Sequence, residues 1–339
     1  SNWDNCPIDD TGKQHSETDE KFEVWTDQGW SKVQNVMKHK VCKKMYRVLT
    51  HTGLVDVTED HSLLNKDGQE VTPNQVNIGS ELLHSFPEDN FKENEVINKD
   101  LAFVYGFFFA EGSAGCYDTK WGAKNTWGIV NQDLTPLEKC QNILKEHGIE
   151  TKILDCRASS AVHKLVPVGK IKPMAVEYHK KFYCHDRYKK VPDIILNGTN
   201  EVIQGFMDGY YEGDGDKGSI MRCDCKGQIG AMGLFYIIRR LGYHASINCR
   251  KDKPNVFRVT GTKSYQRKSP IKIKKLFELP NDRCTEVYDL TTENHHFHAG
   301  VGQLIVHNTD SIFINPCQHP SLKGLKGKEL LAATIKLGE

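Results

Sequence analysis

The chain has 339 residues, 38% of them hydrophobic and 26% charged, which is the composition of an ordinary globular protein. No apolar run approaches the ~18 residues of a membrane span, and the start of the chain has neither the basic nor the apolar region of a signal peptide. Eleven cysteines at irregular spacing, without a C-x-x-C pair, argue against a zinc site and a disulfide framework. They predict an intracellular, reducing environment.

The net charge is +1, but it is unevenly distributed. Residues 101–276 contain 29 basic and 17 acidic residues, and the rest of the chain contains 16 and 27. A basic middle between acidic flanks predicts that only the middle contacts a polyanion such as nucleic acid, although a solvated basic surface has the same signature.

The two flanks, on either side of residues 101–276, have the sequence pattern of short β-strands. From residue 22, runs rich in Val, Tyr, Trp and Thr alternate with Asp-Gln-Gly, Thr-Gly and Asp-Gly breaks, a β-meander pattern. Residues 86–100 are polar and are interpreted as a linker. The β pattern returns after residue 276 in TEVYDLTT, HHFHAG and GQLIVHN. The sequence therefore predicts an all-β module that is interrupted by a different fold.

The sequence of the middle part of the chain predicts an α+β fold with an internal repeat. KDLAFVYGFFFAEGSAG and NEVIQGFMDGYYEGDG are apolar at helical length and rich in glycine at their ends. DLTPLEKCQNILKEHGI has Asp133 or Thr135 as an N-cap and Gly148 as a C-cap, and GLFYIIRRLGY is a further amphipathic helix. Short strand-like runs lie between them. The unit of acidic helix, strands and amphipathic helix occurs twice, about 100 residues apart.

The two acidic helices carry matched glycines and matched acids. Gly106 aligns with Gly209, and Glu111 aligns with Asp214. The glycines would let the helices approach closely and so bring the acids together. Two carboxylates a few ångströms apart repel each other and bind hard divalent cations, which can drive the attack of water on a phosphodiester. The alternative is a buried helix pair with capping acids.

This pair resembles the duplicated LAGLIDADG motif of homing endonucleases, over roughly residues 98–275. The resemblance implies a monomeric endonuclease domain that cleaves double-stranded DNA with Mg²⁺ held by Glu111 and Asp214. It further implies a lysine that assists catalysis, with Lys190 favoured and Lys189 as the alternative. A degenerate domain that only binds DNA is the competing hypothesis.

Two segments of the β module carry residues suited to amide chemistry. TEDH contains Thr58 and His61, which could donate hydrogen bonds to a scissile amide and polarise it. VYDLTTENHHFHAG contains Asp289 and three histidines. Three histidines in four residues suggest a metal site, but no Cys or carboxylate spacing completes one.

Taken in order with LIVHN and the following Thr, these segments resemble an intein, in which a Hedgehog–intein (HINT) β-fold is interrupted by a homing endonuclease. TEDH resembles the block with the catalytic Thr and His. VYDLTTENHHF resembles the penultimate block, where alignment on Phe297 favours His295 and leaves His296 possible. LIVHN resembles the C-terminal splice junction.

The resemblance implies a splicing reaction at that junction. The side-chain amide of Asn308 attacks its own backbone carbonyl, forms a succinimide and breaks the bond to Thr309. His307 protonates the leaving amine or polarises the carbonyl, with His295 assisting. The hydroxyl of Thr309 accepts the upstream segment by transesterification.

The segment after the junction resembles part of a family B DNA polymerase. TDSIF is similar to the second half of the Tyr-Gly-Asp-Thr-Asp-Ser motif, in which Asp310 would be a metal-binding carboxylate of the polymerase site. The overall sequence is most similar to the polymerase inteins of large algal viruses, so the intein-less polymerase gene is the expected DNA target. The implied domains are HINT parts at 1–97 and 276–308, the endonuclease at 98–275, and a polymerase fragment at 309–339.

The first block of an intein is absent from this sequence. Cys6 is followed by Pro-Ile-Asp-Asp and not by a strand with a Gly-Asp-Thr-like turn, although Cys6 itself could be the first residue. The resemblance therefore implies a missing N-terminal intein segment as a partner, either because the sequence is a fragment or because the intein is split. Cleavage at Asn308 alone stays chemically possible.

Overall fold

The computed structural model describes residues 3, 6, 8, 12–18, 22–87, 97–120, 122–215, 221–264, 269–280 and 285–308. The helices in these ranges are α1 (Lys99–Glu111), α2 (Leu134–Glu146), α3 (Arg157–Ser160), α4 (Lys172–Phe182), α5 (Asp193–Leu196), α6 (Asn200–Asp214) and α7 (Gln228–Arg240).

The strands of the N-terminal flank are β1 (Gln14–Glu17), β2 (Glu23–Thr26), β3 (Gly29–Lys32), β4 (Asn35–Val41), β5 (Met45–Leu49), β6 (Gly53–Thr58), β7 (Leu63–Leu64) and β8 (Glu70–Val71). Those of the middle are β9 (Gly112–Thr119), β10 (Gly122–Asn131), β11 (Thr151–Asp155), β12 (His163–Pro167), β13 (Met221–Lys226), β14 (His244–Arg250) and β15 (Lys253–Thr262). Those of the C-terminal flank are β16 (Lys275–Leu279), β17 (Thr285–Thr291), β18 (His296–His298), β19 (Val301–Gly302) and β20 (Ile305–His307).

The two flanks of the chain share their sheets. The strand orders are β1-β4-β17, β16-β5-β6-β19 and β18-β20-β7-β8, with β2-β3 as a separate hairpin. Each of the three larger sheets joins strands from both flanks in antiparallel register. Their apolar faces enclose a core that includes Val48, Val55, Leu63 and Val306. Strands distant in sequence are therefore held in one β module, which places the residues near 60, 289 and 307 within one structure.

The middle of the chain has two comparable halves. The first contains α1, α2 and the antiparallel sheet β11-β12-β10-β9, and the second contains α6, α7 and the antiparallel sheet β13-β15-β14. Helices α1 and α6 pack against each other at the centre. The prediction of a mixed α+β fold is confirmed.

Glycines make the α1–α6 contact possible. A Cβ atom built on Gly106 would lie 1.8 Å from the backbone oxygen of Phe206, and one built on Gly209 would lie 2.0 Å from that of Phe103. The backbones of the two helices therefore touch, as the paired glycines predict. Aromatic side chains fill the space around the contact, with Phe109 edge-on to Phe206 at 5.7 Å between ring centroids.

Local signals place several element ends. Asp133 is the N-cap of α2, since its side chain accepts a hydrogen bond from the backbone N–H of Thr135, and Gly148 follows the helix at a φ of 74°. Helix α7 begins at Gln228, before the predicted GLFYIIRRLGY segment. Helix α4 was not predicted, although its buried Met174, Tyr178 and Phe182 have the i, i+4 spacing of an amphipathic helix.

Three further expectations have different outcomes. Among the described cysteines, Cys42 is disulfide-bonded, whereas the cysteine pattern argued against disulfides; Cys6, Cys116 and six others are free thiols. No described helix is long and apolar enough to cross a membrane. Most of the predicted linker, and the polymerase-like segment from Thr309 onward with Asp310, lie outside the described residues.

Candidate functional site

The first candidate site lies at the C-terminal ends of α1 and α6. Glu111 is the last residue of α1, and Asp214 is the last residue of α6. The ends touch, because a Cβ atom on Gly213 would lie 2.7 Å from Ala110 Cβ and 2.8 Å from Glu111 Cγ. The glycine-packed helices thus bring together the two acids that the sequence singled out.

The electrostatics of the pair are those of crowded carboxylates. Burial raises the pKa of Glu111, the charge of Asp214 raises it further, and Lys189 opposes both effects. Burial also raises the pKa of Asp214, where Lys189 lowers it and the charge of Asp224 raises it. A cation would relieve this repulsion, so the carboxylates fit a divalent metal ion.

Lys189 is the basic residue of this site. Its Nζ donates hydrogen bonds to the backbone oxygens of Phe108 (3.1 Å) and Phe109 (2.8 Å), carbonyls in the last turn of α1. Burial lowers the pKa of Lys189 to about 8, although the charges of Asp214 and Glu111 act in the opposite direction. An amine poised near neutral pH beside two acids is suited to proton transfer.

Lys190, the residue favoured from the sequence, lies elsewhere. Its Nζ is 3.5 Å from a carboxylate oxygen of Asp193, and the charges that act on Glu111 and Asp214 include Lys189 but not Lys190. Neighbouring residues in extended backbone point to opposite sides, so only one of the two lysines can face the acids. The structure brings the alternative, Lys189, to that position.

A cavity of about 490 Å³ opens beside this site. Lys189 and Asp214 line it together with other polar and charged groups. One of these, Asp224 on β13, is paired with Arg258 at 2.6 Å. No motif marks them, because they come from separate strands and loops. The additional polar lining residues include Tyr183, Arg187, Tyr188, Asp224 and Lys226.

The second candidate site lies at the end of β20. His307 and Asn308 are only 9% and 4% exposed. His307 Nδ1 is 2.5 Å from the backbone oxygen of Asn308, which belongs to the carbonyl of the Asn308–Thr309 peptide bond. The backbone N–H of Asn308 donates to the oxygen of His295 at 2.7 Å. Among the described residues, Oδ1 of Asn308 has no hydrogen-bond partner. The imidazole is therefore placed to polarise the carbonyl beside Asn308.

Residues from two further segments, near position 60 and at position 289, lie in the region of His307. Thr58, His61 and Asp289 line a common cavity of about 300 Å³. Burial lowers the pKa of His61, the charge of Asp289 opposes this, and the charge of His307 adds to it. Asp289 is itself buried, and its Oδ1 accepts from the backbone N–H of Leu290 at 2.8 Å. The shared sheets thus bring the TEDH segment, Asp289 and His307 into one region.

Both candidate assisting histidines lie beside His307. The ring centroid of His295 is 5.8 Å from that of His307 in a stacked arrangement, and that of His296 is 5.5 Å away in an edge-on arrangement. Two acids that no sequence motif marks also lie here. Asp27 Oδ1 is 2.8 Å from His296 Nδ1, and a carboxylate oxygen of Glu70 is 3.8 Å from His307 Nδ1.

The chain is similar to segments of much longer proteins. A DNA polymerase of Acanthamoeba polyphaga mimivirus is 49% identical over 314 residues, which are 89% of this chain and 18% of the polymerase. A DNA polymerase of Thermococcus litoralis is 23% identical over 375 residues, 89% of this chain and 21% of that protein. Transcription initiation factor IIB of Methanocaldococcus jannaschii is 23% identical over 296 residues, 82% of this chain and 40% of that protein. The chain therefore spans about a fifth of the length of the polymerases it matches.

Among solved structures, the homing endonuclease I-DmoI in complex with DNA and Mn superposes with a TM-score of 0.38 at 14% identity. That superposition covers 48% of this chain and 89% of the endonuclease. No protein-family model matches the chain.

A segment shared by polymerases and a transcription factor is expected of an element carried inside its hosts rather than of the hosts' own domains. The split β module around an insert with a glycine-packed helix pair has the corresponding architecture. The chain is thus similar to a segment carried within DNA polymerases, and an α+β part with a glycine-packed helix pair is inserted into its β module.

Proposed function

We propose that the inserted part of this chain is a site-specific double-strand DNA endonuclease. The observation that carries the proposal is the meeting of Glu111, Asp214 and Lys189 at the ends of two backbone-packed helices. The proposal rests on the domain division into a β module of residues 1–97 and 276–308 and an endonuclease of residues 98–275. The expected target is a polymerase gene that lacks the insertion.

In this site Glu111 and Asp214 would hold Mg²⁺. The described residues contain no group of three or more His, Cys, Asp or Glu side chains that could hold a metal ion. When bound, the ion supplies charge neutralisation at the phosphate and a more acidic water. Lys189 holds or moves a proton next to the two acids. The net basic charge of the domain favours contact with the DNA backbone.

The test is cleavage of a plasmid with the intein-less polymerase gene by the full chain with Mg²⁺. Glu111→Gln and Asp214→Asn should each lower cleavage by at least about 100-fold, because each removes a charge that binds the cation. Glu212→Gln is the matched control, since Glu212 is an exposed acid on the same helix. Robust cleavage by the double variant would refute the proposal. Specific binding without cleavage by the wild-type chain would support a DNA-binding element that has lost its activity.

A second proposed function is cleavage of the peptide bond after Asn308, the final chemical step of splicing. The contact between His307 Nδ1 and the Asn308 carbonyl oxygen supports it. Nδ2 of Asn308 attacks its own backbone carbonyl carbon, a succinimide ring forms, and the bond to the Thr309 nitrogen breaks. The leaving amine takes up a proton. His307 polarises the carbonyl during the attack.

Thr58, His61 and Asp289 are proposed to act at the upstream junction, where Thr58 and His61 would donate hydrogen bonds to the scissile amide. Thr309 would be the acceptor nucleophile. Mass spectrometry of the incubated chain should detect a product that begins at Thr309. Asn308→Ala should abolish this product, and His307→Ala should slow its release by roughly 100-fold or more. Release from Asn308→Ala would contradict the cyclisation mechanism.

A further inference from the structure

The turn of the β2–β3 hairpin carries an acid, Asp27, that contacts the β17–β18 turn beside His307. Asp27 lies between Thr26 and Gly29, which face each other in the hairpin register. The turn is closed locally, since Thr26 Oγ1 donates to the oxygen of Gly29 (2.9 Å) and accepts from the N–H of Gln28 (3.0 Å). The indole N–H of Trp25 donates to Ser85 Oγ at 2.8 Å. The hairpin is therefore a fixed support for Asp27.

One oxygen of Asp27 receives two contacts from the β17–β18 turn. Asp27 Oδ1 is 2.8 Å from His296 Nδ1 and 3.1 Å from Asn294 Nδ2. The side chains of Asp27 and His296 are 23% and 17% exposed. A carboxylate that is ionised only accepts hydrogen bonds, so Nδ1 of His296 must carry the proton in this contact.

His296 is the direct partner of His307 across the sheet. The two residues face each other in the β18–β20 register, so their side chains lie on the same face. Their ring centroids are 5.5 Å apart. His307 in turn contacts the Asn308 carbonyl oxygen. The orientation of His296 thus sets one wall of the space in which His307 acts.

The same acid also holds the turn that binds Asn308. Oδ1 of Asn294 accepts from the backbone N–H of His296 at 3.3 Å, while its Nδ2 donates to Asp27. Between these residues, His295 has a φ of 59°, a left-handed conformation that few residues other than glycine adopt. The oxygen of His295 accepts the backbone N–H of Asn308. Asp27 therefore supports both the ring beside His307 and the backbone contact to Asn308.

We propose that Asp27 is a positioning residue for cleavage after Asn308. Its carboxylate holds His296 in the Nδ1–H tautomer and anchors the turn of residues 292–296 against the hairpin. The inference rests on the proposed junction cleavage. It adds to that reaction an acid located 269 residues before His296 in the chain, outside every segment that resembles a splicing block.

The test compares Asp27→Ala, Asp27→Asn and the control Gln28→Ala in the full chain. Two readouts are measured: release of the Thr309-led product by mass spectrometry, and the tautomer of His296 by ¹⁵N chemical shifts in ¹⁵N-histidine-labelled protein, assigned with His296→Gln. Thermal unfolding verifies that each variant is folded. Gln28 is exposed in the same turn, so Gln28→Ala should match the wild type in both readouts.

Asp27→Ala should slow release by about tenfold or more, and His296 should change to the Nε2–H form. Asp27→Asn should retain most of the rate and the Nδ1–H tautomer, because both donors meet a single oxygen, which an amide also provides. Wild-type release by Asp27→Ala, or an unchanged tautomer in that variant, would overturn the proposal. If the wild-type chain releases no product, junction cleavage itself is refuted, and the tautomer comparison still decides whether Asp27 positions His296.

Discussion

Replacing Gly106 with alanine tests whether backbone contact between α1 and α6 builds the acidic site. The added methyl would lie 1.8 Å from the backbone oxygen of Phe206 and 2.9 Å from the nitrogen of Tyr210. Both atoms belong to helical backbone, so no side-chain rotation can relieve the clash.

The size of the effect follows from these distances. Ordinary van der Waals contact begins near 3.4 Å, so the helices must separate by roughly 1.5 Å at this point. Overpacking of this kind costs about 3 kcal/mol of unfolding free energy, the upper end of the usual range. The separation also moves Glu111 relative to Asp214, and a misplacement of about 1 Å at a catalytic centre lowers the rate roughly 100-fold.

The assay combines chemical unfolding with DNA cleavage on the same preparations. Gly209→Ala should behave like Gly106→Ala, since its methyl would lie 2.0 Å from the oxygen of Phe103. Asp208→Ala is the matched control, because Asp208 is exposed on α6 next to Gly209 and its loss should change stability by about 0.5 kcal/mol or less. Wild-type stability and cleavage in Gly106→Ala would refute the packing argument.

Three further predictions concern buried charge. Because burial lowers the pKa of Lys189 to about 8, the folded chain loses stability as the pH falls from 10.5 to 8. Lys189→Met should therefore raise the free energy of unfolding at pH 7 by at most about 3 kcal/mol and abolish cleavage. A lower unfolding free energy in this variant would contradict the prediction. Burial likewise lowers the pKa of His84 to about 4, so the free energy of unfolding should fall as the pH drops from 6.5 to 4. His84→Gln should flatten this pH dependence in urea unfolding. An unchanged pH dependence in the variant would show that His84 does not cause it. Arg47 is 2% exposed and forms a bidentate pair with Asp56. Arg47→Met should lower the free energy of unfolding by about 3 kcal/mol or more, and adding Asp56→Leu should restore much of that stability. Equal stability of Arg47→Met and the wild type would show that the pair does not stabilise the fold.

The sequence alone was sufficient where a signal is local or repeated. The matched glycines and acids of α1 and α6 predicted their contact because residue size and helical spacing are written directly in the chain. The β-rich flanks around a basic α+β middle predicted the fold class for the same reason. The cap of α2 required only a choice between Asp133 and Thr135, which the observed hydrogen bond decides in favour of Asp133.

The tertiary structure decided what depends on direction and on distant partners. Lys189 and Lys190 are adjacent in the sequence, and only the path of the chain before α6 shows that Lys189 reaches the carbonyls at the end of α1. Asp27 is 269 residues from His296, and no spacing rule relates two such positions. The residue types and periodicities of this chain therefore determine which chemistries are available, while the shared sheets and helix packing determine which side chains meet, because contacts between distant segments depend on the whole folded path of the backbone.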